Sequence, residues 1–291
     1  CYIGTVLHTR SDGFGSSRSP LQVGAELYGH AGVESDVEIL DLMLSTFESA
    51  GVKDIYLDIG NVDIYKSLAK QAGLNEDDEI RLFELLQQKA VTEIKQLVTS
   101  LSVDTSLAKM IMQLAELNGD LSIIDRAREQ LRQAGPEVIS ALGYLERVAQ
   151  AVSRHNKDVK LNLDLAELHG YHYHTGVVFG AGVPQLGQEI ARGGRYDDIG
   201  KIFGRARPAT GFSTDLKLLS ALGSRDITMP QKILAPADEN AALQLKIDKL
   251  RVEGHCVSRV LPGQVDDVAA MGCSQKLEQI NGQWKLVPIE S

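Results

Sequence analysis

Residues 191–219 read ARGGRYDDIGKIFGRARPATGFSTDLKLL. Gly193, Gly194 and Arg195 in succession suit a turn that receives an anion on its backbone N–H groups and guanidinium. They suit equally a tight turn between a strand and a helix, with Arg195 held in a salt bridge. Farther on, Gly211-Phe212 opens a segment that runs into a short helix and ends Lys217-Leu218-Leu219. Leucine offers no donor and no charge, so position 218 has no means of holding a phosphate.

Working outward, residues 1–9 (CYIGTVLHT) and 21–28 (LQVGAELY) are rich in β-branched and apolar residues, with the turn-forming stretch SDGFGSSRSP between them. That predicts a hairpin with a long loop. Residues 34–50 carry apolar side chains at helical spacing and end at Gly51, and 52–60 alternate as a strand. From about 64 to 153 the spacing is helical throughout, with Asp120 and Pro136 placed where helices start. Strand character returns at 159–165 and 171–179. After Ser224 the pattern reads strand, helix, strand, with Asp238 as a cap and Gly254 as a stop, and closes on a hairpin turning at Asn281-Gly282. The expected organisation is a sheet domain over 1–222 with a helical insertion at about 64–153, then a small α/β region over 223–291.

Bulk composition is that of a globular chain: 291 residues, 43 % hydrophobic and 24 % charged. No apolar run reaches the roughly 18 residues of a membrane-crossing helix. Net charge is −9, and Lys and Arg are spread thinly, approaching each other most around 192–207. Phosphate backbones require clustered cations, so a nucleic-acid partner is disfavoured. Cys1, Cys256 and Cys273 lack metal-ligand spacing, and an odd count fits reduced thiols in the cytoplasm. The chain opens at Cys1 in mid-pattern, which predicts a preceding N-terminal segment.

Two clusters carry chemistry. On a strand, Gln22, Gly24 and Glu26 share one face. Gly24 would leave open space between a carboxamide and a carboxylate, where a small zwitterion fits. A solvent-facing polar edge accounts for the same spacing. In the second cluster, HGYHYHTG over 169–176, His169, His172 and His174 invite a metal reading, and His172 and His174 would share a strand face. No carboxylate or cysteine stands close enough to complete a site, so no metal is assigned, and aromatic strand packing remains the other reading. Strict alternation places Tyr173 and His174 on opposite faces, so both can line one pocket only at a bulge or a strand end.

Taken together these runs resemble the class II aminoacyl-tRNA synthetase core, and within it the histidyl-tRNA synthetases. There a Gly-Gly-Arg-Tyr-Asp turn is followed by a Gly-Phe helix entrance ending Glu-Arg-Leu, whose arginine grips ATP phosphates; Leu218 stands at that place. A Gln-x-Gly-x-Glu-x-x-Gly run holds the histidine substrate, and Gln22 to Gly29 keeps it whole. Of an Arg-Gly-Leu-Asp-Tyr-Tyr pattern lining the pocket, Gly170 and Tyr173 are kept, His174 replaces the second tyrosine and His169 the arginine that assists adenylation. The motif 2 arginine for the α-phosphate falls at Cys1, with Arg10 or Arg18 the alternatives that could reach over. The altered motifs and the short C-terminal region resemble the synthetase-derived regulatory subunits of ATP phosphoribosyltransferase, the first enzyme of histidine biosynthesis.

That resemblance implies an α+β fold, an antiparallel sheet flanked by helices. It implies no catalysis and no cofactor, and an L-histidine pocket at Gln22, Glu26, Tyr173 and His174. It implies self-association and a hetero-octamer with the short-form catalytic subunit, which this subunit would activate and place under feedback inhibition by histidine. The rival expectations are a working histidyl-tRNA synthetase, which would show histidine-dependent ATP–pyrophosphate exchange, and a scaffold that binds no amino acid.

Overall fold

The helical spacing of residues 34–50 folds as α1 (Val33–Ala50) in the computed structural model, which describes residues 1–9, 18–101, 103–167, 170, 171, 173–224, 232–238, 240–263 and 272–289. Val37, Leu40, Met43, Leu44 and Phe47 are all buried along one face. Gly51 ends the helix in the left-handed conformation at φ 78°, and its N–H closes on the carbonyl of Glu48.

Two compact units are formed, Cys1–Arg225 and Asp226–Ser291. The first is built on an eight-stranded sheet. Its strands in chain order are β1 (Tyr2–Thr5), β2 (Leu21–Tyr28), β3 (Tyr56–Asn61), β4 (Asn118–Gly119), β5 (Lys160–Asp164), β6 (Val177–Gly182), β7 (Glu189–Arg195) and β8 (Ala209–Asp215). In space they lie β1-β2-β8-β7-β6-β3-β5-β4. Every neighbouring pair is antiparallel except β3 with β5. A parallel pair needs a crossover, and here the crossover holds α2 (Val62–Gln71), α3 (Glu76–Gln87), α4 (Val91–Ser100), α5 (Thr105–Leu114), α6 (Ile123–Gln130) and α7 (Pro136–His155). A short helix, α8 (Leu216–Leu222), follows β8. The architecture is thus α+β with an antiparallel-dominated sheet and flanking helices.

Local chemistry explains the helix starts. Asn61, Asn75 and Asp104 accept hydrogen bonds from backbone N–H groups of α2, α3 and α5, and Pro136 occupies the first turn of α7, where no N–H is missed. Asp120 accepts from the N–H of Ser122 just ahead of α6.

Two sequence expectations change. The stretch 171–179 is a strand only from Val177; residues 173–175 belong to a turn closed on Gly170, whose carbonyl accepts from the N–H groups of Tyr173 (2.7 Å) and His174 (2.9 Å). Gly193-Gly194-Arg195 is no turn either. It completes β7, with Gly193 and Gly194 paired on both sides and Arg195 paired with β8. The alternative for Arg195 holds: its guanidinium is buried and paired with Asp36, at 2.9 Å to Oδ1 and 3.2 Å to Oδ2. It also donates to Ser35 Oγ (2.8 Å), to the carbonyls of His30 and Gly32, and to Asp197 (3.1 Å). Tyr144 of α7 donates to Asp36 from the far side at 2.7 Å.

The second unit has β9 (Lys232–Ala235), α9 (Ala241–Val252), β10 (Cys256–Arg259), β11 (Gln275–Ile280) and β12 (Gln283–Pro288), in the sheet order β10-β9-β11-β12. Asn240, not Asp238, caps α9; Asp238 instead accepts from the N–H of Asn240. Ile233, Leu243, Ile247, Leu250, Val257 and Leu277 form its core. The final hairpin turns through Asn281 (φ 52°) and Gly282 (φ 74°), the two left-handed residues of a type I′ turn.

Removing Asp36 would leave the buried Arg195 guanidinium without its main counter-charge. Asp36→Ala is expected to destabilise the first unit by about 3–5 kcal/mol, measured as a lower denaturation midpoint with the m-value unchanged.

Candidate functional site

Strand register brings the site together. Across the sheet, Tyr2 of β1 pairs with Gly24 of β2, Gly24 with Ser213 of β8, and Ser213 with Arg192 of β7. In the adjoining row Glu26 pairs with Gly211, and Gly211 with Gly194. All of these but Gly24, together with Gln22, Gly170, Tyr173, His174, Gly193, Tyr196 and Phe212, line a cavity of about 290 Å³. That size lies at the small end for a ligand site. All four sequence-assigned residues, Gln22, Glu26, Tyr173 and His174, therefore meet at one cavity. The turn closed on Gly170 resolves the alternation problem, since neither Tyr173 nor His174 lies on a strand.

Glycine in a strand marks close approach, and the floor of the cavity uses it twice. A Cβ on Gly211 would collide with the Glu26 carboxylate, and one on Gly194 would come within 2.7 Å of His174 Cδ2. Gly24 departs from expectation. It leaves no open space, because the Tyr2 hydroxyl lies over it, 2.6 Å from where a Cβ would stand.

Glu26 is the electrostatic centre. Burial pushes its carboxyl above the ordinary range, while hydrogen bonds from Tyr196 and Tyr2 act in the opposite sense. The buried Tyr196 hydroxyl donates to Glu26 Oε2. Burial and that bond together hold the Tyr196 phenol far above its usual range. Gln22 Nε2 donates to the Tyr2 hydroxyl at 3.0 Å, so Gln22, Tyr2, Glu26 and Tyr196 form one chain of polar contacts. Above it the Tyr173 ring stacks on Tyr196 (4.9 Å between centroids, 28°) and meets His174 edge-on at 5.3 Å. Tyr28 meets Tyr196 edge-on, with 6.5 Å between centroids. Arg192, paired with Glu189 at 3.6 Å, stands half-exposed at the rim.

Chemically the cavity offers an acceptor for a cation, a carboxamide, phenols, an imidazole and a rim guanidinium. Sequence reading missed Tyr2, Tyr196 and Arg192. Tyr196 was inside the quoted stretch, two residues past a glycine pair, but nothing local tied it to Glu26, 170 residues away. At position 218 the leucine packs partly buried against the core, and Lys217 donates to the carbonyl of Ser19 at 3.1 Å. Arg18 bonds across the hairpin to the carbonyl of His8 and does not line the cavity. Arg10, His169 and His172 lie outside the described residues. Among the described residues no three His, Cys, Asp or Glu side chains are grouped to hold a metal ion, and no helix is long and apolar enough to cross a membrane.

Comparison with known proteins places these features in context. The histidyl-tRNA synthetase family matches residues 1–219, and the ATP phosphoribosyltransferase subunit HisZ C-terminal domain matches residues 230–287. An ATP phosphoribosyltransferase regulatory subunit from Thioalkalivibrio sulfidiphilus is 53 % identical over 291 residues, covering 99 % of this chain and 74 % of that protein. A crystal structure described as an ATP phosphoribosyltransferase regulatory subunit/histidyl-tRNA synthetase from Bacillus halodurans superposes with a TM-score of 0.77 at 27 % identity, covering 93 % of this chain and 69 % of that one. An ATP phosphoribosyl transferase (HisG:HisZ) complex from Thermotoga maritima shares the fold at a TM-score of 0.56 and 20 % identity, over 74 % of this chain and 72 % of that one.

The Glu26 environment carries a pH signature. Its folded carboxyl lies above the ordinary value, so its contribution to stability is complete below that ordinary value and is lost as pH rises through the folded one. Glu26→Gln keeps the shape and removes the charge. The variant is expected to melt above wild type at pH 8, with the gap closing as pH falls to about 4; melting curves against pH for both proteins measure it.

Proposed function

The chain belongs to the ATP phosphoribosyltransferase regulatory subunit family, and from that premise we propose that it is the non-catalytic partner that activates the short catalytic subunit and makes it sensitive to feedback inhibition by L-histidine. The observation that carries this reading is a split. The polar cavity around Glu26 is intact and internally braced, while position 218 holds a leucine packed against the core. A protein with a ligand cavity and no phosphate grip at that position is suited to sensing.

In this reading histidine enters the cavity with a cationic group on Glu26. Gln22 adds a directed hydrogen bond, Tyr173 and His174 flank the ring, and Arg192 at the rim faces the ligand's carboxylate. No covalent chemistry follows. A ligand bound by a subunit without chemistry changes its partner's activity only through differential affinity for two states of the assembly. The partner is the short-form catalytic subunit, in a hetero-octamer of self-associated regulatory subunits; the Thermotoga protein of the same fold, described as a HisG:HisZ complex, supports that choice.

Calorimetric titration of the protein with L-histidine, and separately with ATP, tests the proposal. Binding of histidine without ATP is the expected result. Glu26→Ala is expected to cost about 2 kcal/mol or more of histidine affinity and to abolish histidine sensitivity of the reconstituted enzyme. Retained sensitivity would overturn the pocket assignment. Histidine-dependent ATP–pyrophosphate exchange would make the chain an active synthetase.

A further inference from the structure

The chain that forms the upper wall of the cavity also faces the other way. Tyr173 and His174 line the pocket. Tyr171, close by in sequence, is buried among the helices of the crossover. Its hydroxyl donates to the Glu79 carboxylate of α3. Its ring lies 4.9 Å from Phe83 of α3 and 5.5 Å from Tyr65 of α2. Tyr65 in turn donates to the backbone carbonyl of Glu79 at 2.6 Å. Lys66 of α2 completes the clasp: Nζ donates to the His174 carbonyl at 2.6 Å and sits 4.9 Å over the Tyr171 ring. Each anchor of α3 onto this wall is thus within a few residues of a pocket side chain.

A second cavity of about 570 Å³ lies against the same wall, lined by Gly170, Tyr171 and Tyr173 on one side and by Phe83, Gln87 and Lys89 on the other. This cavity is a cleft open to solvent, with Tyr173 and Lys89 exposed along it, whereas packed interiors do not deform smoothly. At this open seam the wall and the C-terminal end of α3 have room to shift against each other.

We propose that the wall at Gly170, Tyr171, Tyr173 and His174 is a lever coupling occupancy of the Glu26 cavity to the position of α3. This deepens the histidine-sensing reading and rests on it. A ligand that engages Tyr173 and His174 fixes the wall, and the wall fixes α3 through the Tyr171–Glu79 bond, the Tyr171–Phe83 contact and the Lys66 clasp. Helix α3 is then the element through which the ligand's presence reaches the rest of the protein. Tyr171 and Phe83 are positioning residues in this device, since neither lines the Glu26 cavity.

Hydrogen exchange of the purified protein, with and without saturating L-histidine, tests the lever, with calorimetry on the same samples. In wild type, exchange across residues 76–87 is expected to slow by about fivefold or more on histidine binding. In Tyr171→Phe, and separately in Phe83→Leu, calorimetry is expected still to show histidine binding while α3 no longer responds. Histidine binding by wild type with unchanged exchange over 76–87 would overturn the lever and leave the pocket assignment standing. No heat with histidine in wild type would overturn both. The wild-type comparison decides the matter even if a variant fails to fold.

Discussion

One buried ion pair holds the first unit to its plan. Arg195 ends β7, Asp36 lies in the first turn of α1, and Tyr144 comes from the middle of α7. Their side chains meet where the sheet, its covering helix and the crossover converge. Burying two charges is costly, and only a fully satisfied geometry offsets it. Here all three guanidinium nitrogens donate, and Asp36 accepts on both oxygens. Asp197 extends the arrangement by accepting from the N–H of Ala209, which fixes the start of β8. Because β7 and β8 carry Gly194 and Gly211, the same pair sets the level of the cavity floor.

The cavity itself follows from what the strands leave out. A β-sheet face normally carries side chains at every second position. In the Glu26 row β7 and β8 place glycine there instead, and the vacated depth is taken by the Glu26 carboxylate and the His174 ring. Tyr196 then caps the carboxylate, and Tyr173 caps Tyr196. The result is a polar group held away from water by aromatic rings, its carboxyl pushed up by burial against the opposing pull of the phenol donors. Such a site answers to the charge of whatever enters it.

Much of this was legible in the sequence, for identifiable reasons. The hairpin of β1 and β2, helix α1 with its glycine stop, and the Asn281-Gly282 turn are written in local patterns of a few residues. Gln22 and Glu26 were legible because a strand's period of two puts them on one face. The failures share a different cause. Gly193-Gly194-Arg195 has turn composition, but pairing of all three with β8 and of both glycines with β6 holds it as a strand. Residues 171–175 have strand composition, yet the chain bends on Gly170. The space at Gly24 was filled by Tyr2 from the neighbouring strand, and Tyr196 reached Glu26 across 170 positions. Apart from the local turn on Gly170, register between distant strands decides these, and no local pattern records it.

The parallel pairing of β3 with β5 also constrains how the protein comes to be folded. Tyr56 and Lys160, joined across that pair, are 104 residues apart in the chain. Closing so long a loop is entropically slow, and contacts of such separation are late events in folding. The helices α2 to α7, rich in local contacts, shorten that search when they form first. β3, flanked by β6 and β5, both of which follow those helices in the chain, must then wait for them before either edge is covered. Until then, the apolar strand YLDIGN presents unpaired edges. During synthesis this is the interval in which the nascent chain is most exposed to mispairing with another copy of itself.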